Sequence, residues 1–253
     1  MQERYIQFFM KIPENLYHYT TIETLALILK SRRIRFNSLS NLDDLAESDT
    51  EDLGNISSFV LVSCWTDIED ENISLWNMYC KNGNGIRLKM QSTIFQHEFT
   101  EKLEYFFIPE NGKNLWLPSN SLTKIQYLDE ITKKFRSNDI DALDLRKFGK
   151  EKHKIWQFQN EWRFLLYQFL DRENLEKVMK LDLLEAKEVF EKYEFEYDCY
   201  DYKIRDVEFE NMEIMLGPST TSAEEIIIDA LISMYNPLAK IKKSDLTKTI
   251  KLK

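Results

Sequence analysis

The hydrophobic period changes twice between Leu16 and Asn37, and that switch constrains the fold most. Leu16-Tyr17-His18-Tyr19 reads as a short strand, Leu25, Ile28 and Leu29 recur at helical spacing, and Arg33 to Asn37 alternates as a strand again. Thr20 and Glu23 fit a capping box, with Thr20 as N-cap and Glu23 at N3, and the helix is expected to end near Ser31. An opening of this kind points to a mixed α and β architecture.

The rest of the chain extends the pattern. Phe59 to Thr66 is a strand, Ile73 to Tyr79 a short helix, Lys81 to Gly85 a turn and Ile86 to Met90 the next strand. Ser38 to Thr50 reads as loop with one helical turn. Glu161 to Phe169 is a strong strand, Tyr202 to Glu210 and Glu213 to Leu216 are further strands, and Ser222 caps a last helix through Ile232. Residues 121–150 have helical spacing. So do residues 172–193, where Leu175, Met179, Leu183, Ala186 and Phe190 form one apolar stripe. Only six glycines and five prolines occur, so no flexible interdomain linker is visible. The expectation is a single α+β domain over 1–253, with a core at about 14–170 and 200–235 and helical insertions at about 121–150 and 172–198.

Composition narrows the function classes. With 43% hydrophobic residues the chain can build a sizeable core. No apolar run approaches the ~20 residues of a membrane-spanning helix. The opening MQERYIQFFMKIPEN lacks the apolar core and small-residue cleavage site of a secretory signal, so a cytoplasmic protein is expected, with no membrane partner. Cys64, Cys80 and Cys199, like His18, His97 and His153, are scattered, which argues against a metal site. A net charge of −9 disfavours general polyanion binding.

Four constellations carry chemistry. His18 sits at a strand end before a capped helix, where its ring could hold a ribose hydroxyl beside Thr20; the other reading is a core histidine held by a backbone carbonyl. Gln159-Asn160-Glu161 precedes Trp162-Arg163; as strand, Gln159, Glu161 and Arg163 share one face, with Trp162, Phe164 and Leu166 toward the core. Glu161 is then a ligand-binding carboxylate, or an ion-pair partner of Arg163 or a neighbouring lysine. Ser63-Cys64-Trp65-Thr66-Asp67, with Trp76 and Tyr79 after it, could wall a flat ring, or place those aromatics in the core. Met215-Leu216-Gly217-Pro218 reads as a structural turn, since no nucleotide fingerprint accompanies it.

In order, these segments resemble ADP-ribosyltransferase-fold enzymes, with LYHYTTIETLALILKSRRIRF as the opening strand–helix–strand, VSCWTD as the middle motif and QNE at 159–161 as the Q/E-x-E pattern. The opening is similar to DNA-modifying toxins of the DarT type and to RNA 2′-phosphotransferases. The whole pattern, over most of 14–240, resembles the bacterial domain-of-unknown-function family 2971. One departure is the loop Asn41-Leu42-Asp43-Asp44-Leu45-Ala46-Glu47, where that family usually has Asn-Asp-Pro-x-Glu. The resemblance implies a split mixed or antiparallel β-sheet core with flanking helices. It implies NAD as substrate, no metal, and an ADP-ribose acceptor that is protein or nucleic acid. Catalytic residues would be Glu161, against the oxocarbenium-like transition state and the ribose 2′-hydroxyl, Gln159, orienting the acceptor, and His18. NAD would be bound by His18, Tyr19, Thr20, Ser63, Trp65, Tyr79 and Arg163. His18 and Glu161 are expected to lie across one cleft. A bacterial toxin or phage-defence effector is the implied setting. The alternatives are a non-catalytic nucleotide- or partner-binding module that kept the fold, and an RNA- or DNA-modifying relative. Tyr193 to Tyr202, rich in Tyr, Glu and Asp, could serve a partner or a homodimer contact, or be solvated surface.

Overall fold

The computed structural model describes residues 11–51, 53–95, 105–110, 113–118, 122–131, 136–137, 140–143, 148–168, 170–171, 173–174, 183–250 and 252. His97, Leu175 and Met179, and residues 1–10 of the opening, lie outside the described residues.

The first strands are β1 (Asn15–Thr20), β2 (Arg33–Ser38), β3 (Asp49–Thr50), β4 (Gly54–Asn55), β5 (Val60–Thr66) and β6 (Ile86–Gln91). Next come β7 (Tyr105–Glu110), β8 (Lys113–Pro118), β9 (Leu122–Lys124), β10 (Gln126–Leu128), β11 (Arg136–Ser137) and β12 (Ile140–Leu143). The last are β13 (Glu151–His153), β14 (Glu161–Gln168), β15 (Cys199–Lys203), β16 (Glu213–Leu216) and β17 (Lys240–Lys243). Helices span Ile22–Ser31, Ile73–Tyr79, Leu183–Lys192, Asp206–Glu210 and Ser222–Tyr235. The architecture is mixed α+β, and the strand pairing is mixed but largely antiparallel. No helix among the described residues is long and apolar enough to cross a membrane. The chain divides into two compact units, one of Met1–Arg33, Trp65–His97 and Lys203–Lys253, the other of Ile34–Cys64 and Glu98–Tyr202.

In the first unit the strands run β17-β16-β6-β1, antiparallel except for the parallel β16–β17 pair. Period two puts Leu16, Leu88 and Ile214, all fully buried, on one side of the sheet. Tyr17, Lys89, Glu213 and Lys240 are direct register neighbours on the other. Helices Ile22–Ser31 and Ser222–Tyr235 pack on each other and bury Leu25, Ile28, Leu29, Ile228 and Ile232.

Three expectations shift here. Thr20 completes β1, and the N-cap is Thr21, whose hydroxyl accepts from the Thr24 amide at 3.2 Å. Glu23 then lies one place too early for a capping box and pairs with Lys81 at 2.5 Å. The last helix is capped by Thr221 rather than Ser222, with a reciprocal capping box to Glu224. Residues 206–210, expected as strand, form a helix, with Asp206 and Glu208 suiting the positive end of its dipole. The Met215–Pro218 turn is structural as expected: the Gly217 amide donates to the Gly85 carbonyl at 2.9 Å, and a side chain at 217 would collide with the Gly83 carbonyl.

In the second unit β5 pairs with β2 (Asn37 opposite Val62) and lies beside β14, which pairs with β8 and β9. Every residue of β14 is buried, so the strand has no solvated face. The core gathers around Phe59, whose ring centroid lies 5.9 Å from Phe148, 5.6 Å from Tyr167, 5.5 Å from Phe190 and 5.8 Å from Phe195. One correction concerns the insertions. Residues 121–150, expected as helical, carry β9 to β12, because Leu122–Lys124 pairs with β14 and Gln126–Leu128 pairs in parallel with β13. The helix expected over 172–193 is described at Leu183–Lys192, and Phe190 of its expected apolar stripe is buried with Val189 in the Phe59 cluster.

Candidate functional site

The second unit brings together Gln159, Glu161 and Arg163 in a buried ion cluster. A 3-10 turn over Lys154–Gln159 ends at Asn160 in the left-handed region (φ 43°), a conformation asparagine tolerates, and β14 begins at Glu161. Gln159 therefore does not share a strand face with Glu161; it reaches the cluster from the turn. The Glu161 amide donates to the Tyr127 hydroxyl at 2.8 Å, and its carbonyl accepts from the Ile125 amide at 2.9 Å. Both backbone groups of the residue are thereby fixed.

Arg163 binds two carboxylates. Its Nε donates to Glu161 Oε1 at 2.6 Å and its Nη2 to Glu161 Oε2 at 3.3 Å. Its Nη2 also donates to Glu47 Oε1 at 3.0 Å, and its Nη1 donates to Glu47 Oε2 and, at 3.0 Å, to the Gly149 carbonyl. Lys152, on β13, donates from Nζ to Gln159 Oε1 at 2.9 Å and to Glu161 Oε2 at 3.2 Å, and lies 3.4 Å from Glu47 Oε1. Its ammonium also sits 4.9 Å from the Trp156 ring centroid. Two carboxylates and two cations balance, which is the condition for keeping four charges out of water. Gly149 makes this possible: its φ of +74° suits glycine, and a Cβ there would press within 3.3 Å of Leu165 and Val60.

Burial would raise the Glu161 pKa, but Arg163 and Lys152 outweigh it and hold the carboxyl at about 2, so it stays ionised. The Cys64 thiol also bonds to Glu161. Burial first, and the Glu161 charge second, push that thiol well above its ordinary value, which suppresses nucleophilic thiolate. Ser63, beside it on β5, is buried.

The other predicted residues belong to the first unit. The His18 ring stacks on Trp65 at 5.0 Å and 40°, and Trp65 is itself buried. The Tyr19 hydroxyl accepts from the Asn72 amide at 3.1 Å and from Arg87 at 3.4 Å, while its ring meets Trp76 edge-on at 4.8 Å. Thr20 is buried, and its carbonyl accepts the Cys80 thiol at 3.4 Å. Trp76 is a core residue, fully buried, with its indole N–H on Glu71 at 2.8 Å; Tyr79 is partly buried against the same cluster.

Glu47 and Lys152 complete the cluster and were not among the sequence candidates. Glu47 ends the polar 41–47 loop, whose comparison with the resembled family gave the one available signal. Among the described residues no group of three or more His, Cys, Asp or Glu could hold a metal ion. No protein-family model, curated protein or solved structure matches this chain.

Proposed function

We propose that the chain is an NAD-dependent ADP-ribosyltransferase or NAD glycohydrolase on the split sheet of that fold, acting as a bacterial toxin or phage-defence effector. The supporting observation is that Gln159 and Glu161 converge on one ammonium, Lys152 Nζ, with Glu161 held ionised. Breaking the nicotinamide–ribose bond builds positive charge on the ribose, and a fixed carboxylate in a low-dielectric setting stabilises that charge. In this reading the ribose displaces Lys152 from Glu161 Oε2 while Arg163 keeps Oε1 in place. Gln159, released with Lys152, orients the protein or nucleic-acid acceptor.

A second reading rests on the closure of the same cluster. Glu161 is only 4% exposed, and both its oxygens already accept from cations. A carboxylate that never leaves those partners is structural, and the chain is then a non-catalytic module that binds a nucleotide or a partner. Nicotinamide release from NAD by the purified protein, measured beside Glu161→Gln, separates the two. Turnover lost in a folded variant supports the enzyme; NAD binding without turnover supports the module.

A further inference from the structure

The first unit carries an open cavity of about 330 Å³ lined by Asn15, Lys89, Gln91, Glu208, Asn211, Glu213 and Lys240 among others. That volume is at the lower end of the ~300–1,000 Å³ of small-molecule sites. The lining is built by register: Lys89, Glu213 and Lys240 sit directly opposite one another across β6, β16 and β17.

The charges there are unevenly partnered. Glu213 is already met by Lys242 at 2.6 Å, and Lys89 and Lys240 lie near enough to help hold its carboxyl below the ordinary range. Among the described residues, neither the Lys89 nor the Lys240 ammonium makes a side-chain hydrogen bond or a close ion pair; both act on Glu213 at longer range. Three lysines thus surround one carboxylate, and two of their ammonium groups have donors to spare. Glu208 borders the same cavity with a side chain only 7% exposed. Its Oε1 accepts from the Thr93 hydroxyl at 2.7 Å and lies 3.6 Å from Arg205 Nη1. Its Oε2 takes no hydrogen bond among the described residues. Glu208 Oε2 can therefore accept from a bound donor, and the two ammoniums, the exposed one of Lys240 included, can give charge-assisted bonds to a bound acceptor.

We infer that this cavity is a binding site for a small organic anion, whose carboxylate or phosphate lies between Lys89 and Lys240 and whose hydroxyl or amine donates to Glu208. The inference does not rest on the NAD chemistry proposed above, and its test contains no NAD. Full-length protein is titrated with malonate, inorganic phosphate and O-phosphoserine while the amide resonances of Gln91, Asn211 and Lys240 are followed by NMR. Saturable shifts at those residues are expected, from malonate if the site takes carboxylates and from the phosphate probes if it takes phosphates. Lys89→Met and Lys240→Met each weaken binding about tenfold or more, the scale of one charge-assisted contact. Lys243→Met, whose ammonium is engaged by Glu225 at 2.7 Å, leaves binding unchanged. Glu208→Gln weakens O-phosphoserine more than inorganic phosphate. Absence of saturable shifts with all three probes, or unchanged affinity in both cavity-lysine variants, overturns the site. Should a lysine variant fail to fold, the wild-type titration repeated at high salt decides: weaker binding supports the site, unchanged binding overturns it.

Discussion

Arg163→Met is the most informative single perturbation of the ion cluster. The variant fills much of the arginine's volume but removes five hydrogen bonds, two to Glu161, two to Glu47 and one to the Gly149 carbonyl. What remains buried is two carboxylates facing one ammonium, Lys152, at 3.2 and 3.4 Å. Removing one partner of a buried ion pair costs roughly 3–5 kcal/mol, and the doubled carboxylate contact points to the upper half of that range. The loss is pH-dependent with a definite sign. In the wild type Glu161 titrates at about 2 against 4.5 for an unperturbed carboxyl, so its contribution is complete above pH 4.5 and is lost as pH falls toward 2. That difference corresponds to roughly 3 kcal/mol. In the variant the burial that opposes ionisation, the largest influence on Glu161, has lost Arg163 as its main counterweight, so the carboxyl moves up and acid relieves the stranded charge. Urea unfolding followed by tryptophan fluorescence at pH 7 and pH 4 measures both effects. The expected destabilisation is largest at pH 7 and shrinks at pH 4. A loss below about 1 kcal/mol at pH 7, the value of an ordinary exposed pair, or one equal at the two pH values, would refute the buried-cluster argument.

Other consequences follow from the packing. Phe190→Ala opens a hole beside Phe59 and should cost about 3–5 kcal/mol in urea unfolding, whereas a solvated side chain at that position would lose almost nothing. Gly149→Ala forces a side chain into φ +74° against Leu165 and Val60 and should cost about 1–2 kcal/mol. Thr221→Ala removes one half of a capping box and should cost about 1 kcal/mol, while Ser222→Ala costs less than half of that, as a thermal melt of each variant would show.

The strands were legible where apolar residues alternated or, as in Phe59–Thr66, ran together in a strand buried on both faces. Leu16–Tyr19, Arg33–Asn37, Phe59–Thr66 and Ile86–Met90 each lie within about a residue of the observed bounds, as does the helix Ile73–Tyr79. The caps slipped by one because Thr20-Thr21 and Thr221-Ser222 offer two hydroxyls each; at the second, Glu224 three places after Thr221 was the signal that picks the earlier residue. Residues 121–150 misled because their charges mimic a helix's solvated face, while their structure comes from pairing with β14 and β13, partners remote in sequence. Pairing of Glu161 with Arg163 or with a neighbouring lysine was one of two open readings, since alternation puts 161 and 163 on one side; the cluster uses both cations. Which lysine, and that Glu47 joins, was not legible. Lys152 sits in a charged run, Lys150-Glu151-Lys152-His153-Lys154, that looks solvated, and only burial by the tertiary fold singles it out at 3% exposure.

The role of Glu161 is tested most directly by nicotinamide release from NAD, per folded molecule, for wild type and Glu161→Gln. Folding of the variant is checked by circular dichroism and its melting temperature. The proposal expects measurable wild-type turnover that falls about 10²–10³-fold in the variant, the loss typical of a removed electrostatic stabiliser. Turnover that is unchanged in the folded variant, or NAD bound by the wild type with no nicotinamide released, would contradict it and leave Glu161 as a member of a structural ion cluster.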